Sequence, residues 1–590
     1  MKIVHCYRYL SLIFICALFL ISIPYGHAVG GEGVFKAHEA LVKKASDEGH
    51  VKVIVRLAVP GLKEKTDASR SFRSISPGQV FSSDAVQVDS ALAQAIGTVA
   101  DSVIHSLDPK AYEVNHTYST IPFLAMDVSL KALSALQSLP SVIDIVEDIP
   151  VGFNENLQSQ KSSFANASAD NADISQNLKL IGADVAWRKG YTGSGWYVAV
   201  LDTGIRSSHE MFRDKKIVEA CFSASNDCPN QSTEMKGSGS AAHYYDYKFV
   251  KGYDHGTHVA GIAAGNSGTV FGVAKDADII AVQVFSRFTG IDACHPNTHC
   301  VLTYDSDLLK GLEYVYTIRG SYSIAAVNMS LGGGKYDSYC DGRPLKAAID
   351  NLREAGISTI IASGNQGYCG AINTPACISS SVSTGATNDE DRETDFSNWH
   401  RTLVDFFAPG YRIYSATAAG DTTYESWNGT SMATPHVAGA WTLMKQCESN
   451  GDVTELYNAL KATGKNVTTR CGGADSRPRI NVDNAVSYLK GILPAPTLSV
   501  AINGTNVTVS WNSVPTAESY VLFYGFDLGF LLETNHQIPM GGKTALSADL
   551  PVGGVYYVAV KAYNDAGSSD YSNVEVVSVT ENAVGLIPRD

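Results

Sequence analysis

Apolar and polar positions fall into four successive patterns along the chain. In residues 29–152, the run Val51-Lys52-Val53-Ile54-Val55-Arg56-Leu57 alternates as a strand does. Leu92, Ala95, Ile96, Val99 and Val103 recur at helical spacing, and Leu124 to Val128 forms a second strand. Leu130, Leu133, Leu136 and Leu139 mark a further helix, stopped by Pro140, and Val142 to Glu147 is a final strand. Strands flanking two helices predict a ferredoxin-like split βαβ unit. Residues 153–175, rich in Asn, Ser, Gln and Ala with no apolar period, read as an exposed linker open to nicking. In 176–490, buried-type strands (Trp196 to Leu201, Ile279 to Phe285, Ile324 to Met329, Ser358 to Ala362) alternate with helical stretches such as Lys346 to Ala355. That order predicts an α/β fold, a parallel sheet sandwiched by helices. After Leu493-Pro494-Ala495-Pro496 the pattern changes again. Asn506 to Trp511, Ser519 to Tyr524 and Val555 to Ala562 are short alternating strands between turns, so 494–578 reads as an all-β sandwich.

Composition narrows the setting. The 590 residues are 45% hydrophobic and 18% charged, an ordinary globular balance, and the length implies roughly three or four domains. The formal net charge of −14 argues against a phosphate-binding surface and so against nucleic acid as a partner. Lys2 and Arg8 precede an apolar run from Leu10 to Ile23, broken by Pro24 and followed by Gly26-His27-Ala28. Residues 1–28 therefore read as a secretory signal peptide, since a membrane anchor needs about 20 apolar residues. Once it is removed, no membrane association is expected. Of eleven cysteines, Cys6 and Cys16 leave with this segment. In an exported chain the rest read as disulfides. Short loops suggest Cys221–Cys228, Cys294–Cys300 and Cys447–Cys471, leaving one of Cys340, Cys369 and Cys377 unpaired.

Three motifs carry candidate chemistry. Val198 to Ile205 places Asp202 at the end of an apolar strand, before Thr203-Gly204. His255-Gly256-Thr257-His258-Val259-Ala260-Gly261 opens a small-residue helix with a histidine, and Gly429-Thr430-Ser431-Met432-Ala433-Thr434-Pro435-His436 starts another with a serine. In open α/β sheets functional groups gather beyond the carboxyl ends of the strands, where these three side chains could meet. A serine hydroxyl needs a neighbouring base, histidine gains and returns a proton near neutral pH, and a carboxylate fixes the imidazole tautomer. A fourth motif, Ala362-Ser363-Gly364-Asn365-Gln366-Gly367, follows a strand and offers the Asn365 amide to an oxyanion.

The order Asp, His, Ser with these flanks resembles the subtilisin family of serine peptidases. Val327-Asn328-Met329-Ser330-Leu331-Gly332-Gly333, Phe396-Ser397-Asn398 and Phe407-Ala408-Pro409-Gly410 add to the resemblance, which covers 176–490. It implies a secreted endopeptidase acting on proteins or peptides through an acyl-enzyme. Asp202, His255 and Ser431 would be catalytic, with Asn365 in the oxyanion hole. Ser330, Leu331 and Gly332, with Ala362, Ser363 and Gly364, would be the two pocket walls, and such small walls suggest broad specificity with apolar preference. The chemistry implies no cofactor. Structural calcium is possible, but Gly265 to Gly272 is short where some relatives carry a calcium loop, so other ligands would be needed and the metal residues are unknown. Residues 29–152 resemble the family's inhibitory propeptide, an intramolecular partner, and 494–578 a fibronectin type III domain with Trp511, Tyr520, Leu550 and Tyr557 as core landmarks.

Cys294 to Cys300 with His295 and His299 could bind zinc, or be a disulfide-closed loop with incidental histidines, which fits an exported chain better. His258 and His436 read as structural, and Asp389-Glu390-Asp391 as a solvated loop. Two other functions fit the same residues: a binding protein retaining the protease scaffold, and a dedicated processing protease. The second would want an acidic pocket, which the matched walls lack.

Overall fold

Val198 and Val200 turn to one face of the strand Tyr197–Asp202, while Ala199 and Leu201 turn to the other, and both faces are buried. This two-sided burial is what a helix-covered parallel sheet requires. In the computed structural model, which describes residues 31–61, 83–153, 172–242, 250, 252–294, 297–472, 475–503, 505–526, 536–551, 554–565, 567–579 and 584–586, that strand sits inside a ten-stranded sheet. The spatial order is Lys465–Thr468, Ser476–Arg479, Phe406–Pro409, Val382–Thr387, Ser358–Ala362, Ile324–Met329, Tyr197–Asp202, Asp278–Gln283, Ile217–Phe222, Glu234–Lys236. The eight inner strands are parallel and each edge strand is antiparallel to its neighbour.

The N-terminal unit holds α1 (Gly31–Glu48), β1 (His50–Leu57), α2 (Ser83–His105), β2 (Tyr112–Thr117), β3 (Phe123–Ser129), α3 (Leu130–Ser138), β4 (Val142–Glu147) and β5 (Pro150–Val151). Its sheet runs β2-β3-β1-β4, all antiparallel. Alternation sorts β1: Val51, Val53, Val55 and Leu57 enter the unit's own core, while Ile54 joins the core of the central unit. Strand β2 is absent from the sequence expectation because its Asn115 and His116 interrupt the apolar pattern. Both are buried where this unit meets the central one, not exposed.

That junction is polar and specific. His116 Nε2 lies 2.6 Å from Asp307 Oδ1, and Tyr118 donates its hydroxyl to the Ser306 carbonyl at 2.9 Å. Glu313 accepts from the backbone N–H groups of Ser119 (2.6 Å) and Thr120 (2.8 Å). Asp148 accepts from the Ser306 N–H at 3.1 Å, at the start of helix α4 (Asp305–Thr317).

The signal-peptide expectation lies outside the described residues, as does 154–171 of the linker. Helix Ala172–Leu180 occupies the rest of the linker interval, so regular structure resumes before residue 176. Two antiparallel sheets make up the C-terminal unit and share a core of Leu498, Trp511, Tyr520, Leu522, Tyr556 and Val560. Tyr557 is a correction. In Val555–Asn564 it faces away from this core and packs by Phe523 and Tyr571, because the strand's parity places Tyr556 inward instead.

The cysteine pairing differs from expectation. Cys221–Cys228 and Cys294–Cys300 form as the short loops suggested, but Cys340 pairs with Cys377 and Cys369 with Cys471. Among the described residues Cys447 is the free thiol, buried at the end of its helix beside the Val486 carbonyl. Loop length misled here because the fold brings the ends of a 102-residue separation together. In the acidic run Asp389 and Glu390 are exposed, as a solvated loop requires, but Asp391 is a correction. Asp391 is nearly buried and paired with Arg479 at 2.8 Å and Lys465 at 3.0 Å. Burial would raise its carboxyl, but these two cations hold it down to about 2.

Candidate active site

The aspartate and histidine motifs interlock at the sheet's carboxyl edge. Asp202 ends its strand and accepts from the Thr203 N–H at 2.8 Å. Thr203 Oγ1 accepts from Gly256 N–H at 2.9 Å and donates to the Tyr253 carbonyl at 3.1 Å, which pins the start of helix α5 (His255–Ala264). Gly256 has to be glycine, because a Cβ there would lie 2.2 Å from the Gly204 carbonyl oxygen. The close approach sets His255 Nδ1 at 2.9 and 3.0 Å from the two Asp202 carboxylate oxygens. Nδ1–H therefore donates to the carboxylate, and Nε2 is left as a bare acceptor with no hydrogen-bond partner among the described residues.

Ser431 sits in the first turn of helix α6 (Thr430–Cys447). Pro435, inside that helix, has no N–H to give the carbonyl four residues back. The freed Ser431 carbonyl accepts instead from Ser330 Oγ at 2.8 Å, and Asn328 donates to that hydroxyl at 3.0 Å. In return Ser431 Oγ donates to the Ser330 carbonyl at 3.1 Å. The serine motif is thus tied to the Ser330-Leu331-Gly332 segment, and α6 packs against α5.

Asn365 Oδ1 accepts from Thr430 N–H (2.8 Å) and Thr430 Oγ1 (2.9 Å), so its NH₂ group faces elsewhere. Asn398 fastens this loop from behind, accepting from the N–H groups of Gln366 and Tyr368, each at 3.0 Å, and donating to the Ser363 carbonyl at 3.1 Å. A Cβ on Gly364 would lie 1.7 Å from Asn373 Oδ1, so this wall too requires glycine. In the sequence Asn398 stands out only as part of a motif, and Thr203, Thr430 and Pro435 carry no separate mark. Their signal was adjacency to the reactive residues.

The end of the N-terminal unit lies between the Ser330-Leu331-Gly332 wall and a second strand. Val151 pairs with Thr303 and Pro150 with Tyr304 of the strand His299–Tyr304, and Gly152 bridges antiparallel to Gly332. Phe153 follows, its ring 3.9 Å from the His255 imidazole between centroids. Phe153 thus sits in the cleft and not in the exposed linker that the composition of 153–175 predicts.

His258 and His436 stand apart from this chemistry. His258 Nε2 meets the Glu425 carbonyl at 3.0 Å and its ring stacks on Trp427, and His436 Nδ1 meets the Met432 carbonyl at 2.8 Å. Burial pushes them down to about 3 and about 4, so both stay neutral at working pH. Cys294 and Cys300 are joined to each other, which removes the thiolates a zinc site would need, and His295 lies outside the described residues. Among the described residues no cluster of three His, Cys, Asp or Glu could hold a metal ion. The Gly265 to Gly272 turn is closed by Ser267 and Val270, and its Asn266 donates to the Asp276 carboxylate at 3.2 Å.

A family model, the Subtilase family (peptidase S8), matches residues 193–479, the interval holding all four motifs. An alkaline protease of Alkalihalobacillus alcalophilus is 32% identical over 353 residues, 60% of this chain and 76% of the relative. Subtilisin E of Bacillus subtilis is 30% identical over 362 residues, covering 60% and 79%. Subtilisin Savinase of Lederbergia lenta is 34% identical over 288 residues, covering 48% and 89%. This chain belongs to the subtilase family. As a subtilase it is a subtilisin-like serine endopeptidase, and subtilase catalysis needs no cofactor. No described helix is long and apolar enough to cross a membrane.

Proposed function

We propose that this subtilase hydrolyses peptide bonds with Ser431 as nucleophile, His255 as base and Asp202 as the group that orients the imidazole and stabilises the imidazolium that forms. The single observation that carries this is the buried Asp202–His255 pair, whose geometry leaves Nε2 as an acceptor. A substrate N–H that takes the Ser330 carbonyl frees the Ser431 hydroxyl to turn to Nε2. His255 then removes the proton as Oγ attacks, and returns it to the leaving amine. The Asn365 NH₂ and the backbone N–H of Ser431, at a helix start, receive the oxyanion. Gly332 on one side and the strand His299–Tyr304 on the other hold the extended substrate by backbone pairing, as they hold Pro150 to Gly152, and Ala362 to Gly364 forms the second wall of the pocket. These small, uncharged walls favour broad specificity with apolar preference.

Residues 29–152 act as an inhibitory propeptide, a reading supported by the strand-like seating of Pro150 to Gly152 in the cleft. The chain cuts itself after this unit. Residues 1–28 direct export, which agrees with four disulfides. The 494–578 unit is a fibronectin type III-like appendage. Ser431→Ala tests the assignment: casein hydrolysis is lost and the precursor stays uncut, whereas full activity refutes it.

A further inference from the structure

We propose that this protease selects an aromatic side chain at the second residue before the bond it cuts, and that Phe285 makes the selection. The inference rests on Ser431 being the nucleophile and names the substrate class of that site.

The chain's own tail shows how an extended peptide lies in the cleft. Its pairing through Val151 and Gly152 is made by backbone atoms, so it does not depend on side-chain identity. Gly152 stands opposite Gly332, which makes Leu331 the counterpart of the next residue and Ser330 the counterpart of the one after. The Ser330 carbonyl is the group that holds Ser431 Oγ, at 3.1 Å. A peptide in this register presents to Ser431 the carbonyl of the residue opposite Ser330. The residue in the Phe153 position is then the second before the cut.

The seat at that position is built for a flat ring. Phe153 lies between the His255 imidazole, at 3.9 Å and 34°, and the Phe285 ring, at 4.6 Å and 16°. Phe285 belongs to the hydrophobic core of the central unit, which anchors it as a wall, and Phe153 covers its remaining face. The floor is bare backbone at Gly252, where even a Cβ would lie 3.1 Å from the Phe153 ring. Offset stacked rings attract beyond the area they bury. A methyl group leaves this slot half empty, and a β-branched side chain is too thick for it. The slot thus adds a preference that the two small pocket walls cannot supply.

The test uses mature enzyme and two peptides, succinyl-Val-Gly-Phe-Leu-p-nitroanilide and its Ala analogue at the third residue. Nitroaniline release fixes which bond is cut. The expected kcat/KM ratio of Phe to Ala is tenfold or more, dropping to threefold or less in Phe285→Ala, with Phe285→Leu between. A ratio near one in the unsubstituted enzyme overturns the inference without any variant, and so does a ratio unchanged in Phe285→Ala. If neither peptide is cut and Ser431 resists an active-serine probe, the reading beneath it fails as well.

Discussion

His116 Nε2 and Asp307 Oδ1 lie 2.6 Å apart across the junction of the N-terminal and central units, both shut away from water. Removing one partner of a buried pair strands the other, typically at about 3–5 kcal/mol. In the Ser431→Ala precursor, His116→Ala should lower the thermal midpoint by several degrees. An unchanged midpoint would mean that the pair adds nothing to docking.

Asp148 supplies a pH dependence at the same junction. Burial raises its carboxyl to about 7, with the charges of Asp305 and Asp307 adding to the effect and the Ser306 hydrogen bond opposing it. Undocked and solvated, the group would titrate near its ordinary value of about 3.9. The docked form therefore holds the extra proton between those values. Docking is fully favoured below about pH 4 and weakens as pH rises through 7, by up to about 1.4 kcal/mol per unit. Thermal midpoints of the Ser431→Ala precursor from pH 5 to 8 should fall more steeply than those of the same precursor carrying Asp148→Asn. Parallel curves would contradict this.

The proposed catalytic residues are legible because each is announced locally: Asp202 by Thr203-Gly204, His255 by Gly256-Thr257, Ser431 by its run of small residues. Those neighbours are required by contact, as the Gly256 and Gly364 clearances show. What was hidden depends on distant surfaces. Asn115 and His116 look like breaks in a strand until the central unit covers them, and Asp391 looks solvated until Arg479 and Lys465 reach it. Cys369 and Cys471 meet only through the folded chain, and one step of strand parity separates Tyr556 from Tyr557.

Asn365 offers its amide because Thr430 occupies its oxygen. Asn365→Ala should cut kcat by about 10²–10³, the size known for this kind of donor in subtilisin, with KM changed far less. Steady-state kinetics on a peptide anilide checks the split. A loss confined to KM would remove Asn365 from the oxyanion site.

The Cys369–Cys471 bond closes a separation of 102 residues, between the Asn365 loop and the far edge of the sheet. Replacing both by serine should cost about 4 kcal/mol in stability, mainly by loosening the unfolded-state constraint. Guanidinium unfolding of the inactive precursor measures it. A cost below about 1 kcal/mol would contradict the chain-entropy account.

The central claim is that one hydroxyl, primed by one imidazole, does the chemistry. A fluorophosphonate probe on the mature enzyme, followed by peptide mass spectrometry, measures this directly. The label should fall on Ser431 and be lost in both Ser431→Ala and His255→Ala. A label on another residue, or undiminished labelling of the His255→Ala enzyme, would contradict it.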